Sequence, residues 1–95
     1  MDKKKVYEDK LQAQLDEWGA QIDTLKAKAA KIGAEGKIRY LEEIETLQEK
    51  RGEAQRKLRE LNRRGDDAWE DLKDGLEEAW KDLGDAMSEA ISRLR

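Results

Sequence analysis

The chain has 95 residues, 45% of them charged and only 37% apolar, with a net charge of −3. This length allows one small domain, and the absence of Cys and His excludes disulfides, thiol chemistry and zinc sites. So much charge would point to disorder, but Ala, Glu, Lys, Leu and Arg at helical spacing are the composition of long helices and coiled coils.

Met1-Asp2-Lys3-Lys4-Lys5 is not followed by an apolar run, so no signal peptide is expected. No stretch approaches the length of a transmembrane helix. The expectation is a soluble, cytoplasmic protein forming a single helical coiled-coil domain over residues 1–95.

The first element is a helix. Leu11, Leu15, Trp18, Ile22, Leu25, Ala29 and Ile32 alternate steps of four and three, a narrow seam of the coiled-coil kind. Trp18 stands on this seam as a core or dimer-contact residue. The next stripe is Tyr40, Ile44, Leu47, Arg51, Ala54, Leu58 and Leu61. At 100° per residue it points almost the same way as the first, so helical phase is kept across Gly33-Ala34-Glu35-Gly36.

That continuity favours one long helix over about 3–64, continuous or kinked at 33–36. Lys37 and Arg39 would also sit badly at a helix N-terminus. The alternative is a turn at 33–36 giving a three-helix bundle, and Lys28 and Lys31 before Gly33 do resemble a helix C-terminus. Ile38 and Leu41 fall off the main stripe and need a second contact.

At Gly65 the stop signals are stronger. Arg63 and Arg64 suit a last helical turn, Gly65 suits the left-handed position after it, and Asp67 with Glu70 forms a capping-box pattern. A helical hairpin is predicted there, with a returning helix over about 67–94. Residues 50–64 hold seven basic and two acidic groups, and residues 66–80 hold one basic and seven acidic. Folding at Gly65 lays these blocks side by side and selects that pairing.

The returning segment contains an eleven-residue repeat. Ala68 to Glu78 is followed by Ala79 to Glu89, and six of eleven positions match. Eleven residues are close to three helical turns, so each copy returns its apolar residues to one face. Trp69, Leu72, Leu76, Trp80, Leu83, Met87, Ile91 and Leu94 form that stripe, which either packs in the hairpin or lies on lipid. The repeats look like those of exchangeable apolipoproteins, yet their polar face is acidic (Glu70, Asp71, Asp74, Glu77, Glu78, Asp82, Asp85). Membrane-surface helices are usually rich in Lys and Arg there.

Six glycines (19, 33, 36, 52, 75 and 84) fall inside predicted helices, each costing about 1 kcal/mol relative to Ala. An isolated helix of this composition is marginal, which implies self-association or ordering on a partner.

No chemistry-bearing constellation emerges. Carboxylate pairs such as Glu42-Glu43 and Glu77-Glu78 read as solvated helix faces. Di-iron ligation needs Glu-x-x-His, and Asp71-x-x-Asp74-Gly75 lacks the alternating ligands of a calcium loop. No catalytic, cofactor or metal residues are assigned, and the chain is not expected to be an enzyme. Arg51, Arg56, Lys57, Arg59, Arg63 and Arg64 could face phosphates, but their acidic neighbour competes, so nucleic acid is not an expected partner.

Tyr-x-x-Lys-Leu-x-Ala-Gln-Leu-x-x-Trp (Tyr7 to Trp18), Lys-Ile-x-Tyr (Lys37 to Tyr40) and Gly-Asp-Asp-Ala-Trp-Glu-Asp-Leu-Lys-Asp-Gly-Leu-Glu-x-Ala-Trp (Gly65 to Trp80) resemble the short bacterial coiled-coil proteins labelled stress-response proteins. That resemblance implies a small helical bacterial protein, induced by stress and without a settled activity. The expected function is a non-enzymatic interaction or scaffold protein. It would self-associate as a homodimer through the seam Leu11, Leu15, Trp18, Ile22, Leu25 and Ile32, and meet an unidentified protein partner. The alternative is a protein that binds a membrane surface through residues 67–94.

Overall fold

In a computed structural model the chain forms three helices. The structure describes residues 3–64 and 66–93, and the side chains of these except 66–68. Helix α1 spans Lys3–Ala29, α2 spans Ala34–Arg63 and α3 spans Asp66–Arg93. They pack as an antiparallel up-down-up bundle of 51 × 20 × 19 Å, with α1 and α3 parallel.

The chain does turn, but at residues 30–33 and not at 33–36, so the long helix over 3–64 is replaced by α1 and α2. Ala30 N–H donates to Lys26 O at 3.3 Å, then Lys31 donates to Lys28 O and Ile32 to Ala29 O at 3.0 and 3.2 Å, tightening the helix end. Gly33 is the N-cap of α2 with φ −65° and ψ 159°, and no side chain caps that end. Glu35 sits in the first turn, where its charge suits the positive end of the helix and offsets Lys37.

Energetics explain why the turn prevails. A straight helix would leave two narrow apolar seams exposed along much of their length. Folding back buries Leu11, Leu15, Ile22, Leu25 and Ala29 against Tyr40, Ile44, Leu47, Ala54, Leu58 and Leu61. Each large side chain so buried contributes about 1.5–3 kcal/mol, far more than the few helical hydrogen bonds lost at one turn.

The α2–α3 connection is tight. Arg64 caps α2 in an extended conformation (φ −92°, ψ 149°), its N–H bonding Glu60 O at 3.1 Å, and α3 is already helical at Asp66. The expected hairpin is present, and Gly65 itself lies outside the described residues. The side chain of Asp67, the expected capping group, and Leu94 also lie outside them.

The charge blocks complement each other more as fields than as pairs. Between α2 and α3, Lys50 meets Asp82 at 2.8 Å and Arg93 meets Glu43 at 2.7 Å, whereas Lys57 and Arg64 pair within α2 with Glu53 and Glu60.

Polar contacts also cross between α1 and α2, among them Lys4 Nζ donating to Arg64 O at 3.0 Å. Gln12 and Gln55 exchange amide hydrogen bonds at 3.3 and 3.1 Å. Arg51, on the α2 stripe, lies over Gly19 and donates from Nε to Leu15 O at 3.3 Å. A Cβ at position 19 would come within 2.9 Å of the guanidinium, so the glycine makes room for an arginine in the seam.

Candidate functional site

The predicted seam residues of α1 all face the bundle interior. Leu11, Leu15, Ile22 and Leu25 are buried, and Trp18 and Ile32 pack partly buried against the same core. They are covered by α2 and α3 of the same chain, so the fold leaves no uncovered seam of the kind on which the dimer expectation rested. In α3, Leu76, Leu83 and Met87 are buried, and Trp69, Leu72, Trp80 and Ile91 are partly buried against the core. The stripe proposed as hairpin-packed or lipid-facing is therefore turned inward.

Where α1 and α3 meet, the contact is a ladder of aromatic rings. Tyr7 meets Trp69 edge to face with centroids 5.2 Å apart, and Trp18 meets Trp80 at 6.5 Å with a tilt of 44°. Tyr7 and Trp18 are eleven residues apart, as are Trp69 and Trp80. The α3 repeat thus matches a spacing in α1, and two parallel helices with one period meet in successive layers. Gly84 lies against Trp18, where a Cβ would touch the ring at 3.5 Å. Trp80 Nε1 is buried without a hydrogen-bond partner.

At the lower end of this ladder the bundle opens into a groove. Its floor is Val6, Tyr7 and Trp69, and its rim is Lys3, Lys10, Glu70 and Lys73. Val6 is 50% exposed. Lys73 Nζ lies 5.3 Å from the Trp69 ring centre and 5.8 Å from that of Tyr7, within cation–π range. The Tyr7 hydroxyl donates to Glu77 Oε1 at 3.4 Å. Lys3, Lys10 and Lys73 hold no ion pair among the described residues.

Burial pushes the Tyr7 hydroxyl above its usual pKa of 10.0, and the nearby Glu77 charge and hydrogen bond add to this. The folded state therefore holds the phenol proton more tightly than the unfolded chain. Its stabilisation is complete below pH 10.0 and is lost as pH rises through the folded value. Buried Tyr40 is shifted in the same direction. Thermal stability is expected to fall as pH rises above 10.0, and less steeply in Tyr7→Phe. Melts followed by circular dichroism test this, and equal slopes for the two proteins would remove Tyr7 as the cause.

Tyr7, Val6 and the three lysines of the groove were not singled out from the sequence as site residues. For Tyr7 a signal exists: it stands four residues before Leu11, one step back along the seam. The basic segment 50–64 spreads over several faces. Arg51 points into the seam, while Arg56, Arg59 and Arg63 are exposed. Among the described residues no cluster of carboxylates is placed to hold a metal ion, and no helix is long and apolar enough to cross a membrane.

Compared with protein-family models, with curated proteins and with solved structures, the chain matches none.

Proposed function

We propose that this is a non-enzymatic helical interaction protein, acting in the cytoplasm by presenting the outer faces of a rigid bundle. The observation that carries this reading is the apolar pair the fold leaves uncovered. Ile38 is 65% and Leu41 44% exposed, one helical turn apart on the flank of α2. Among the described residues the other large apolar side chains, Val6 apart, are buried or partly buried against the core. A photo-crosslinking residue at position 38, introduced in the native cell, is the test. A single crosslinked protein that disappears with Leu41→Lys supports the reading, and no product, or one insensitive to Leu41→Lys, removes it. A stress role rests on the family resemblance alone and is tested by the protein's abundance under osmotic and oxidative shock.

Self-association through the Leu11–Ile32 seam takes a specific form in this fold. The stripes of α1 and α2 share a phase, and Gly33 alone separates the tightened end of α1 from α2. Straightening residues 30–36 would regenerate a long helix, and two chains could then exchange α1 to form the same contacts. Gly36 is the lever: a Cβ there comes within 3.1 Å of Ile32 Cγ2 in the turn, but would be accommodated in a continuous helix. Gly33→Ala/Gly36→Ala is expected to shift the protein from monomer towards dimer. Light scattering after size exclusion at high micromolar concentration checks it, and a variant that stays monomeric rules the exchange out.

A further inference from the structure

We propose that the groove at the N-terminal ends of α1 and α3 docks the bundle, without unfolding, onto an anionic lipid surface. This surface is separate from the Ile38–Leu41 flank, which lies roughly 35 Å further along the bundle at 1.5 Å per residue. It also differs from the α3 stripe suggested by the repeat, which is occupied in the core.

Three observations converge on the groove. Its floor joins an exposed aliphatic side chain, Val6, to a tyrosine and a tryptophan in edge contact. Tyr and Trp favour the headgroup level of a bilayer, where one end of the ring is apolar and the other wet. Its rim carries Lys3, Lys10 and Lys73 against one carboxylate, Glu70. These lysines have no carboxylate partner among the described residues, so their charges are available to lipid phosphates, and their long stems can follow an apolar surface while the ammonium reaches outward.

Charge selects the occupant and the orientation. The chain is acidic overall, and the outer face of α3 carries Asp71, Asp74, Glu78, Asp82 and Asp85, which an anionic surface repels. Lys73 is the one basic residue among positions 66–80, and it stands over the two rings. Presented groove-first, the bundle brings the lysines and the apolar side chains to the membrane together, with Glu78, Asp82 and Asp85 further along α3 held away from it. Juxtamembrane lysines each contribute about 1 kcal/mol at an anionic leaflet.

The test is co-sedimentation of the full chain with phosphatidylglycerol or phosphatidylcholine vesicles. Binding to phosphatidylglycerol, weakened by salt and absent from phosphatidylcholine, is expected. Lys3→Gln/Lys10→Gln/Lys73→Gln is expected to weaken it by about a hundredfold, and Val6→Ser by about fivefold. The charge-matched control Lys26→Gln/Lys28→Gln/Lys31→Gln, at the opposite end, is expected to change it by less than about threefold. Circular dichroism of each variant, free and vesicle-bound, should show the same helix content. No binding to phosphatidylglycerol overturns the proposal. So does an equal loss in the control, which would mean that charge without the groove, or the opposite end, is responsible.

Discussion

Truncating Leu83 to alanine is expected to destabilise the bundle by about 3 kcal/mol. Leu83 is 0% exposed, in the middle of α3 and within the shared core. Removing its isobutyl group forfeits the transfer energy of the buried carbons and leaves a cavity that neighbouring helices fill only in part. Single domains of this size are stable by roughly 5–10 kcal/mol, so one residue carries a large share of the whole. The melting temperature should fall by roughly 12–24 °C, at 4–8 °C per kcal/mol for a chain of this length. Leu41→Ala, at a half-exposed position, is the matched comparison and is expected to cost well under about 1 kcal/mol. Thermal melts by circular dichroism measure both. A loss at Leu83 no larger than that at Leu41 would mean that α3 does not pack in the core.

The second large effect runs the other way. Gly52→Ala and Gly75→Ala are each expected to stabilise the protein by about 0.5–1 kcal/mol. Both positions are helical, and an added Cβ meets nothing within 4 Å at either. The gain arises mainly in the unfolded chain, which loses conformational freedom when glycine is replaced. The two sites lie on different helices and an added Cβ makes no contact at either, so their effects should add. The double variant is expected to melt roughly 5–15 °C higher. Gly19→Ala should not join them: its Cβ displaces the Arg51 guanidinium that bonds Leu15 O. Chemical denaturation of the three single variants provides the ranking, and a stabilised Gly19→Ala would show that the Arg51 contact contributes little.

Much of the fold was legible because amphipathic helices announce their buried face. Leu11 through Ala29, Tyr40 through Leu61 and Leu76 through Met87 were all marked by spacing, and they form the core. The turn at 30–33 was not settled by the same signal, because the apolar phase runs through it. What decides it is the energy of covering two seams, a property of the tertiary arrangement that no local window contains. Arg51 stands on a stripe of otherwise apolar residues and Gly19 interrupts a helix, and the structure accounts for both as one contact. The groove was hidden for a topological reason. Lys3 and Lys10 become neighbours of Lys73 only once three antiparallel helices place the starts of α1 and α3 side by side.

The eleven-residue ladder carries a consequence for how α3 finds its place. A slide of α3 by one repeat along the bundle, about 16 Å at 1.5 Å per residue, would exchange one apolar layer for its near copy. Leu72 would stand where Leu83 stands, Leu76 where Met87 stands, and Trp69 beside Trp18 in place of Trp80. Even Lys50 would still face an aspartate, Asp71 in place of Asp82. The slide fails at the far end, where Asp82 would take the place of Arg93 opposite Glu43, setting two carboxylates together where the native alignment has a 2.7 Å ion pair. The apolar stripe makes helices adhere but is nearly indifferent to which rung they adhere at. The short connection between Arg63 and Asp66, too short to span such a slide, holds α3 to one rung, and the Arg93–Glu43 pair at the far end favours that same rung.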